Sequence, residues 1–403
     1  MPWKGVTVSE ERQRFLQDYR LKYYSVSDLA ERFSISRRTA HKWIGRFERT
    51  GESGFLELSR RPHYSPGQTD AAIVQQLVEL RKAHPRWGPG KLLDLMGRRH
   101  PRTPLPSVST AARILAREGL VRARRRHRRA HPGCPKSIPQ GPNDIWAADY
   151  KGQFRLKNGQ YCFPLTVSDL ASRFLLGCDA HPAISLERTQ QHFGRLFQAY
   201  GLPNRIRTDN GVPFASSALA RLSQLSVWFI KLGIYPELIE PGRPQQNAIH
   251  ERMHRTLKQE ATIPPASSLP AQQRKLDHFR QEFNEVRPHE GLEMKRPAQV
   301  YRPSLRSMPT RIESYDYPTH YLVRRVSRDG TIRVLGKQIF VSNTLHEDNV
   351  GLEEVDDGVH HLYCCFYQIG RYHLQDNKIE DIVSRVPVTR RQIDLARRVL
   401  PMS

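Results

Sequence analysis

The sequence predicts a mixed α/β core that lies between an all-α N-terminal part and a small all-β C-terminal part. Up to about residue 121, apolar residues recur at helical spacing, and Ser or Thr caps precede several of the runs. Residues 141–301 show three strand-like runs followed by a helix, a strand and a further helix, an order typical of an α/β sheet. Residues 310–385 change to short alternating runs separated by turn signals, which predict strands.

Residues 1–63 are predicted to form a helix-turn-helix domain. Thr7 with Glu10, and Ser25 with Asp28, are possible capping boxes for its first two helices. On the third helix, one face is apolar and the opposite face is basic. The apolar face carries Ala40, Trp43, Ile44 and Phe47, and the basic face carries Arg37, Arg38, His41 and Lys42. A plain three-helix packing unit with a solvated face is the alternative, but the basic face favours contact with DNA.

Residues 69–121 predict a second domain of helix-turn-helix or winged-helix-like type. Ser107 is expected to cap its last helix. The expected core residues are Leu77, Leu80, Leu92, Leu95 and Met96. Residues 122–140 form a basic linker in which Arg124, Arg125 and Arg126 are expected to contact phosphates. Residues 386–403 are expected to form a basic tail helix.

The charge balance limits the classes of partner. The chain has 64 Lys and Arg residues against 40 Asp and Glu residues, a net charge of +24, which favours a polyanion and most economically nucleic acid. No apolar run approaches the roughly 18 residues of a membrane span, and the start of the chain lacks the apolar region of a signal peptide. The five cysteines have no zinc-binding spacing, so we expect free thiols in the cytoplasm.

Three acidic residues of the core fit a catalytic role. Asp149 lies in the apolar run IWAADYKG, where a buried carboxylate is costly unless something pairs with it. Asp209 ends a short strand at Asp-Asn-Gly, where it could instead cap its own turn. Glu251 lies on a helix expected to begin near Gln246, and a solvated surface helix is the alternative there. Two strand carboxylates and one helix carboxylate can together hold two hard divalent cations.

Two further acids are assigned structural roles. Asp169 lies in the turn SDLASRF and is expected to pair with Arg173. Glu260 is nine positions past Glu251 and points to nearly the opposite side of the helix.

Five motifs in a fixed order carry a family resemblance. They are WAADYKG, RTDNGVPF, PGRP, NAIHERMHRTLK and FNEVRPHEGLEMKRPAQVY. In this order they resemble the integrase core of insertion-sequence transposases, which belongs to the retroviral-integrase superfamily with its Asp, Asp, Glu triad. The N-terminal stretch SVSDLAERFSISRRTAHKWIGRF is similar to the DNA-binding front end of the same transposases.

The resemblance implies an RNase H-like core over residues 141–301 and a DNA transposase activity. Asp149 and Asp209 would then hold one Mg²⁺ and Asp149 and Glu251 a second, with Mn²⁺ expected to substitute. Cleavage by water at the element's ends would precede attack of the freed 3′-hydroxyl on target DNA. Arg255 and Lys258 would contact phosphates, and Asn247 would contribute to DNA binding by shaping the approach loop.

The implied partners are double-stranded DNA, both the terminal inverted repeats of the element and the target, and further copies of this chain assembled on DNA. No membrane partner is expected. The implied location is the cytoplasm of a bacterial-type cell, in association with the nucleoid.

Residues 310–385 are similar in position to the SH3-like barrel of related recombinases, so we expect a small β-barrel, with a hairpin around Asp329-Gly330. One departure from the family pattern is Asn247-Ala248, where relatives usually have Asn-Gly, so a turn that needs positive φ would be strained there. Two other functions stay open. One is a structure-specific nuclease of RNase H-like fold, and the other is a DNA-binding remnant that has lost catalysis.

Overall fold

The computed structural model describes residues 7–51, 67–121 and 136–383. The chain divides into two compact units, Met1–Asp70 and Ala71–Ser403. Arg124, Arg125, Arg126 and the expected tail helix lie outside the described residues. Within the described ranges, no helix combines the length and the apolar character that crossing a membrane requires.

Residues 7–51 of the first unit form a compact helical packing unit. Both predicted capping boxes are present, at Thr7 with Glu10 and at Ser25 with Asp28. The basic residues predicted for the outer face of the third helix are exposed. The helices are α1 (Val8–Leu21), α2 (Val26–Arg32) and α3 (Arg37–Thr50). Their core consists of Phe15, Leu16, Leu29, Ala30, Ala40 and Ile44.

Residues 67–121 open the second unit with another helical module. The Ser107 side chain accepts a hydrogen bond from the Thr110 N–H at 3.2 Å, which confirms the predicted cap. Trp87 is only 1% exposed and lies in the centre of the module's core, together with the five predicted core residues. The helices are α4 (Ala71–Ala83), α5 (Pro89–Arg99) and α6 (Val108–Arg117).

A mixed sheet with flanking helices follows. Its strands are β1 (Ile145–Tyr150), β2 (Phe154–Arg155), β3 (Tyr161–Asp169), β4 (Leu175–His181), β5 (Arg205–Thr208) and β6 (Tyr235–Leu238). Strand β3 pairs antiparallel with both β1 and β4, whereas β1, β5 and β6 run parallel, which gives the order β4-β3-β1-β5-β6. The short β2 pairs with the first residues of β3. The sheet has the strand order of the RNase H-like core that the sequence predicted.

The helices of the core cover the sheet on both faces. They are α7 (Leu186–Tyr200), α8 (Gln224–Lys231), α9 (Ala248–Glu260), α10 (Leu269–Gln281) and the short α11 (Pro297–Val300). Phe193 and Phe197 of α7 pack with Phe229 of α8 against one face. Met253 and Leu257 of α9 pack with α10 against β4 on the other face. The apolar side of α9 is therefore fixed to the sheet.

The C-terminal strands do not form the predicted closed barrel. They are β7 (Leu322–Arg325), β8 (Thr331–Val334), β9 (Lys337–Phe340), β10 (Asn349–Asp356), β11 (Val359–Cys364), β12 (Tyr367–His373) and β13 (Lys378–Asp381). Across residues 322–381 they make an open five-stranded sheet, β13-β12-β11-β10-β7, and a separate β8-β9 pair. The apolar side of these strands packs on Val227 and Ile230 of α8, so burial against the core takes the place of closure.

The predicted hairpin around Asp329-Gly330 is also wrong. β7 pairs with β10, whereas β8 pairs with β9, so the Asp329-Gly330 turn connects strands of two different sheets. The tight hairpin turn is at Leu335 and Gly336, which have φ of 47° and 79°. Two consecutive residues with positive φ are the conformation that a two-residue hairpin loop of type I′ requires.

A buried ion pair ties the active-site side of this sheet together. Arg207 of β5 and Glu237 of β6 are 2% and 3% exposed, and their side chains meet at 2.9 Å. The same guanidinium donates to the main-chain carbonyl of Gln246 at 2.9 Å and to that of Ser137 at 2.8 Å. Arg207 thus connects two strands, the turn before α9 and the segment before β1.

Arg207→Met should destabilise the second unit by about 3–5 kcal/mol, because it leaves the Glu237 carboxylate buried without a cation. Replacing both partners, Arg207→Met with Glu237→Leu, should recover most of that loss, since no charge then remains buried. Urea unfolding of the full chain measures the free energy of unfolding of the single and the double variant. A single-variant loss below about 1 kcal/mol would contradict the assigned role of this ion pair.

Candidate active site

Asp149 is the next-to-last residue of the central strand β1. The first four residues of that strand, from Ile145 to Ala148, are at most 1% exposed. The Asp149 side chain keeps 18% exposure, and its Cα is paired in register with Thr166 of β3. A carboxylate therefore emerges at the carboxyl end of a fully buried strand, where the sheet meets solvent.

Asp209 directly follows β5, the parallel neighbour of β1. Carboxyl ends of neighbouring parallel strands lie at the same edge of a sheet, so Asp149 and Asp209 share that edge. Asp209 also accepts the N–H of Gly211 at 3.0 Å, so it caps its turn as the structural alternative proposed. A Cβ on Gly211 would lie 3.1 Å from Asp209 Oδ2, which explains why the turn has a glycine there.

Glu251 lies in the first turn of α9 and is exposed. The helix follows a 3₁₀ turn, Pro244–Asn247. Ala248 has φ −55° and ψ −30°, an ordinary right-handed helical conformation. The departure from Asn-Gly therefore introduces no backbone strain.

The charges of Asp209 and Glu251 both act on the Asp149 carboxylate. Burial, together with the charges of Asp209 and Glu251, raises the pKa of Asp149 from 3.8 to about 8. Burial also raises the pKa of Asp209, against the effect of the Gly211 hydrogen bond. The positive charge of Lys151 acts in the opposite direction and lowers the pKa of Asp149. Carboxylates arranged in this way are a candidate site for a cation.

The donor atoms fit a hard divalent ion. Ligand atoms of Asp149, Glu251 and His254 lie within 4.8 Å of one another. His254 Nδ1 is 3.5 Å from Asp149 Oδ2, and its Nε2 is 2.6 Å from the Thr166 hydroxyl. The Thr166 hydroxyl donates its one hydrogen to the Asp149 carbonyl, so His254 Nε2–H donates to Thr166 and Nδ1 keeps a lone pair on the side of Asp149 and Glu251. This nitrogen is a candidate metal ligand beside the carboxylate oxygens, and Thr166 fixes its tautomer.

A buried polar chain continues behind His254. The Thr166 hydroxyl also lies 2.9 Å from His250 Nε2, and His250 Nδ1 lies 2.7 Å from the Ser168 hydroxyl. The same Thr166 hydroxyl donates to the main-chain carbonyl of Asp149 at 3.1 Å. Burial lowers the pKa of His250 to about 3 and that of His254 well below its ordinary value, so both rings are neutral near pH 7.

Another group of possible metal ligands, Asp179, His181 and His192, differs in its charge balance. Burial acts to raise the pKa of Asp179, but His192 and Arg195 outweigh it and hold the pKa at about 2. His192 Nδ1 is 2.9 Å and Arg195 Nη2 2.6 Å from the same carboxylate oxygen. Asp179 is therefore already neutralised by protein cations, whereas the group around Asp149 is not.

The two acids assigned structural roles are both bound by the protein. Asp169 is fully buried, but its partners differ from the predicted one. Its carboxylate accepts the Ser172 N–H and the Asn143 N–H, each at 2.7 Å, so backbone donors take the place of Arg173. Glu260 accepts two hydrogen bonds of 2.9 Å from Arg287 Nη1.

The residues expected to contact DNA fall into separate places. Arg255 and Lys258 are exposed on α9, beside Glu251. Asn247 is only 5% exposed, and its Oδ1 has no hydrogen-bond partner in the described part of the chain, so it is placed in the turn before α9 rather than on the surface. Arg37, Arg38, His41 and Lys42 belong to the first unit. Arg124, Arg125 and Arg126 are outside the described residues.

Sequence reasoning missed several residues that support the site. They are Lys151, Thr166, Ser168, Arg207, His250 and His254. One signal was available, because His250 and His254 recur at helical spacing on the buried side of α9. Two buried histidines on one helix face indicate a polar network.

Comparison with known proteins identifies related sequences. Profiles of the family "Integrase core domain" match residues 139–244 and 232–297, and "Homeodomain-like domain" profiles match residues 7–56 and 39–115. An uncharacterized 31.7 kDa protein of insertion element IS407 from Burkholderia multivorans is 28% identical over 283 residues, which cover 68% of this chain and 93% of that protein. A 39.2 kDa protein of insertion element IS476 from Xanthomonas euvesicatoria is 30% identical over 237 residues, or 58% of this chain and 66% of that protein.

Solved structures give partial matches at low identity. The HTLV-2 integrase catalytic core domain in complex with magnesium, in its trimeric form, matches 41% of this chain and 100% of its own with a TM-score of 0.33 at 16% identity. A chain of the simian T-cell lymphotropic virus intasome in complex with a PP2A regulatory subunit matches 77% of this chain and 100% of its own with a TM-score of 0.36 at 15% identity.

The raised pKa of Asp149 predicts how stability depends on pH in the absence of divalent ions. Below about pH 4 the carboxyl is protonated in both the folded and the unfolded states. As the pH rises towards 8, the unfolded state loses its proton first, so this group progressively destabilises the folded protein. Asp149→Asn removes the effect and should stabilise the protein by on the order of 2 kcal/mol near pH 8.

Thermal unfolding of both proteins in EDTA between pH 5 and pH 8 measures this difference. The advantage of Asp149→Asn should grow with pH across that range. A difference in Tm that stays constant from pH 5 to pH 8 would contradict the electrostatic description of the site.

Proposed function

Because this chain belongs to the insertion-sequence transposases with a retroviral-integrase-like core, we propose that it catalyses both chemical steps of DNA transposition. It would cleave phosphodiester bonds at the ends of its element and join the freed 3′-hydroxyls to target DNA. The observation that carries this proposal is the placement of Asp149, Asp209 and Glu251 at two neighbouring strand ends and one helix, with ligand atoms of Asp149 and Glu251 within 4.8 Å of each other. Carboxylates placed in this way are suited to phosphoryl transfer with divalent ions.

The carboxylates would hold two Mg²⁺ ions, for which Mn²⁺ would substitute. Asp149 and Asp209 would share one ion, and Asp149 and Glu251 the other. When bound, such ions stabilise negative charge on the attacking and leaving oxygens of the phosphodiester.

The protein's own groups would position the reactants. Thr166 holds the strand of Asp149 in place through the Asp149 main-chain carbonyl, and it fixes the His254 ring beside the carboxylate. Gly211 lets Asp209 approach its own turn closely enough to be fixed there. Lys151, Arg255 and Lys258 would contact DNA phosphates around the carboxylates, where they would also offset the charge of the bound strand.

The helical modules would bring the DNA ends to the core. The exposed basic face of α3, with Arg37, Arg38, His41 and Lys42, is suited to a major groove. The basic linker with Arg124, Arg125 and Arg126 would add contacts with the DNA backbone. Because two element ends must be processed together, we propose that copies of the chain assemble on DNA as a homo-oligomer.

Glu251→Gln should abolish strand cleavage and joining but leave DNA binding near that of the wild type. The amide keeps the size of the side chain but is a much weaker ligand for a hard cation. The assay is cleavage and joining of a labelled duplex, taken from the DNA that flanks the reading frame, with Mg²⁺ or Mn²⁺. A loss of at least about a thousandfold is expected for both products.

Glu187→Gln is the matched control, because Glu187 is an exposed carboxylate on α7 and should leave both products unchanged. Cleavage without joining in the wild type would indicate a nuclease instead. Metal-independent binding with no cleavage would indicate a DNA-binding remnant. Products that persist in Glu251→Gln would contradict the assignment of the triad.

A further inference from the structure

A basic cavity of about 430 Å³ lies between the second helical module and the helix that carries Glu251. Lys91 of α5 lines one side, and Arg252 of α9 lines another. Arg173, Arg287 and His289 complete its cationic and imidazole lining. We call this space, defined by these five residues, the basic cavity.

Three of its four cationic side chains lack an ion-pair partner in the described residues. Lys91, Arg173 and Arg252 form no ion pair with any residue that the structure describes. Arg287 is the exception, because it pairs with Glu260. Among the described lining residues, Glu290 alone is acidic.

The lining groups are also poorly solvated. Burial, with the charge of Arg287, lowers the pKa of Lys91 to about 8. Burial lowers the pKa of Arg173, the charge of Asp169 acts against this, and the charge of Arg252 acts with it. His289 Nε2 is buried and has no hydrogen-bond partner in the described part of the chain. Desolvated like charges that converge on one space destabilise the protein unless an anion enters it.

The walls of the basic cavity are held together by specific contacts. His84 Nδ1 of α4 is 3.1 Å from Glu282 Oε1, and Arg98 of α5 donates to the main-chain carbonyl of Met294 at 2.9 Å. The Arg287 guanidinium lies 5.7 Å from the centre of the Trp87 ring. The basic cavity is therefore built from two modules that dock on each other, and it is preorganised for its ligand.

We propose that the basic cavity binds a phosphate group of the DNA backbone and thereby fixes the position of the DNA relative to Glu251. The proposal rests on the proposed function, which supplies the DNA. Arg252 is the next residue after Glu251, so a phosphate bound on this side of α9 sets the register of the strand at the carboxylates. Lys91 connects the same phosphate to the second helical module, so this module and the core hold one DNA molecule together.

The test uses Glu251→Gln as the parent protein, so that DNA binding is measured without cleavage. The double variant adds Lys91→Gln and Arg173→Gln to this parent. The double variant should bind duplex DNA roughly tenfold more weakly whatever its sequence, and the slope of log affinity against log salt should fall by about 1. At the same time the DNA-free variant should have a higher Tm than its parent, because the repulsion is gone. A merely structural role would lower the Tm instead.

Two controls test whether the effect comes from the positive charge inside the basic cavity. Arg173→Lys keeps the positive charge and should retain the salt slope. Lys275→Gln removes an exposed lysine from α10, whose side chain donates to the Pro264 carbonyl, and should change neither the slope nor the Tm. Equal affinity and slope for the double variant and its parent would overturn the proposal.

Inorganic phosphate and the DNA duplex distinguish two sources of the anion. If phosphate raises the Tm of the parent but the double variant binds DNA unchanged, the basic cavity is a free-anion site and the proposal is overturned. If the wild type binds no DNA, the proposed function itself is wrong. If the parent binds DNA normally and the double variant binds it equally well, only the proposal for the basic cavity is wrong.

Discussion

The position of the carboxylates depends on the buried pair Arg207 and Glu237. Asp209 lies two residues after Arg207, just past the end of β5, and the Gln246 carbonyl bound by Arg207 lies just before the helix of Glu251. One guanidinium therefore sets the distance between the end of a strand and the start of a helix. A hydrophobic pair could hold β5 and β6 together, but it could not direct hydrogen bonds to a turn.

This rigid support allows the site to retain an unfavourable electrostatic arrangement. Three carboxylates on a flexible surface would separate until water screened them. Here Asp149 is held by a buried strand and by the Thr166 hydroxyl, so burial and the neighbouring charges raise the pKa of its carboxyl instead of displacing it. The basic cavity on another side of α9 follows the same principle with the opposite sign of charge. The carboxylate group and the basic cavity each hold like charges close together, and a bound ligand of the opposite charge would neutralise them.

Much of the fold follows from local physics and could be predicted from the sequence. Caps at Thr7, Ser25 and Ser107 are made within one helical turn, and the apolar period of α9 places Met253 and Leu257 in the core. The succession of strands and helices along the core could be predicted because most of these elements have their own apolar run, whereas the RNase H-like arrangement was implied by the family resemblance. Asp149 and Asp209 could be picked out because a carboxylate inside or at the end of a buried strand is unusual, whereas Glu251 was singled out only together with them and through the motif around it.

The parts that were missed depend on contacts between distant positions. Thr166 meets His250 and His254 across 84 and 88 positions of sequence, which no local pattern records. The Asp169 carboxylate is bound by backbone N–H groups and not by Arg173, and Arg173 instead lines the basic cavity. Strands β7 and β8 look like a hairpin in sequence, but each has a different partner. The C-terminal strands stay open because α8 covers their apolar side.

Localised oxidation by bound Fe²⁺ tests the central claim most directly, namely that the three carboxylates form one metal site. Fe²⁺ would replace Mg²⁺ in the full-length protein, and ascorbate with peroxide would then cut the main chain next to the bound ion. Cuts near Asp149, Asp209 and Glu251 together, suppressed by excess Mg²⁺ and absent in Asp149→Asn, are the predicted result. Cuts confined to the region of Asp179, His181 and His192, or cuts that Asp149→Asn leaves unchanged, would contradict it.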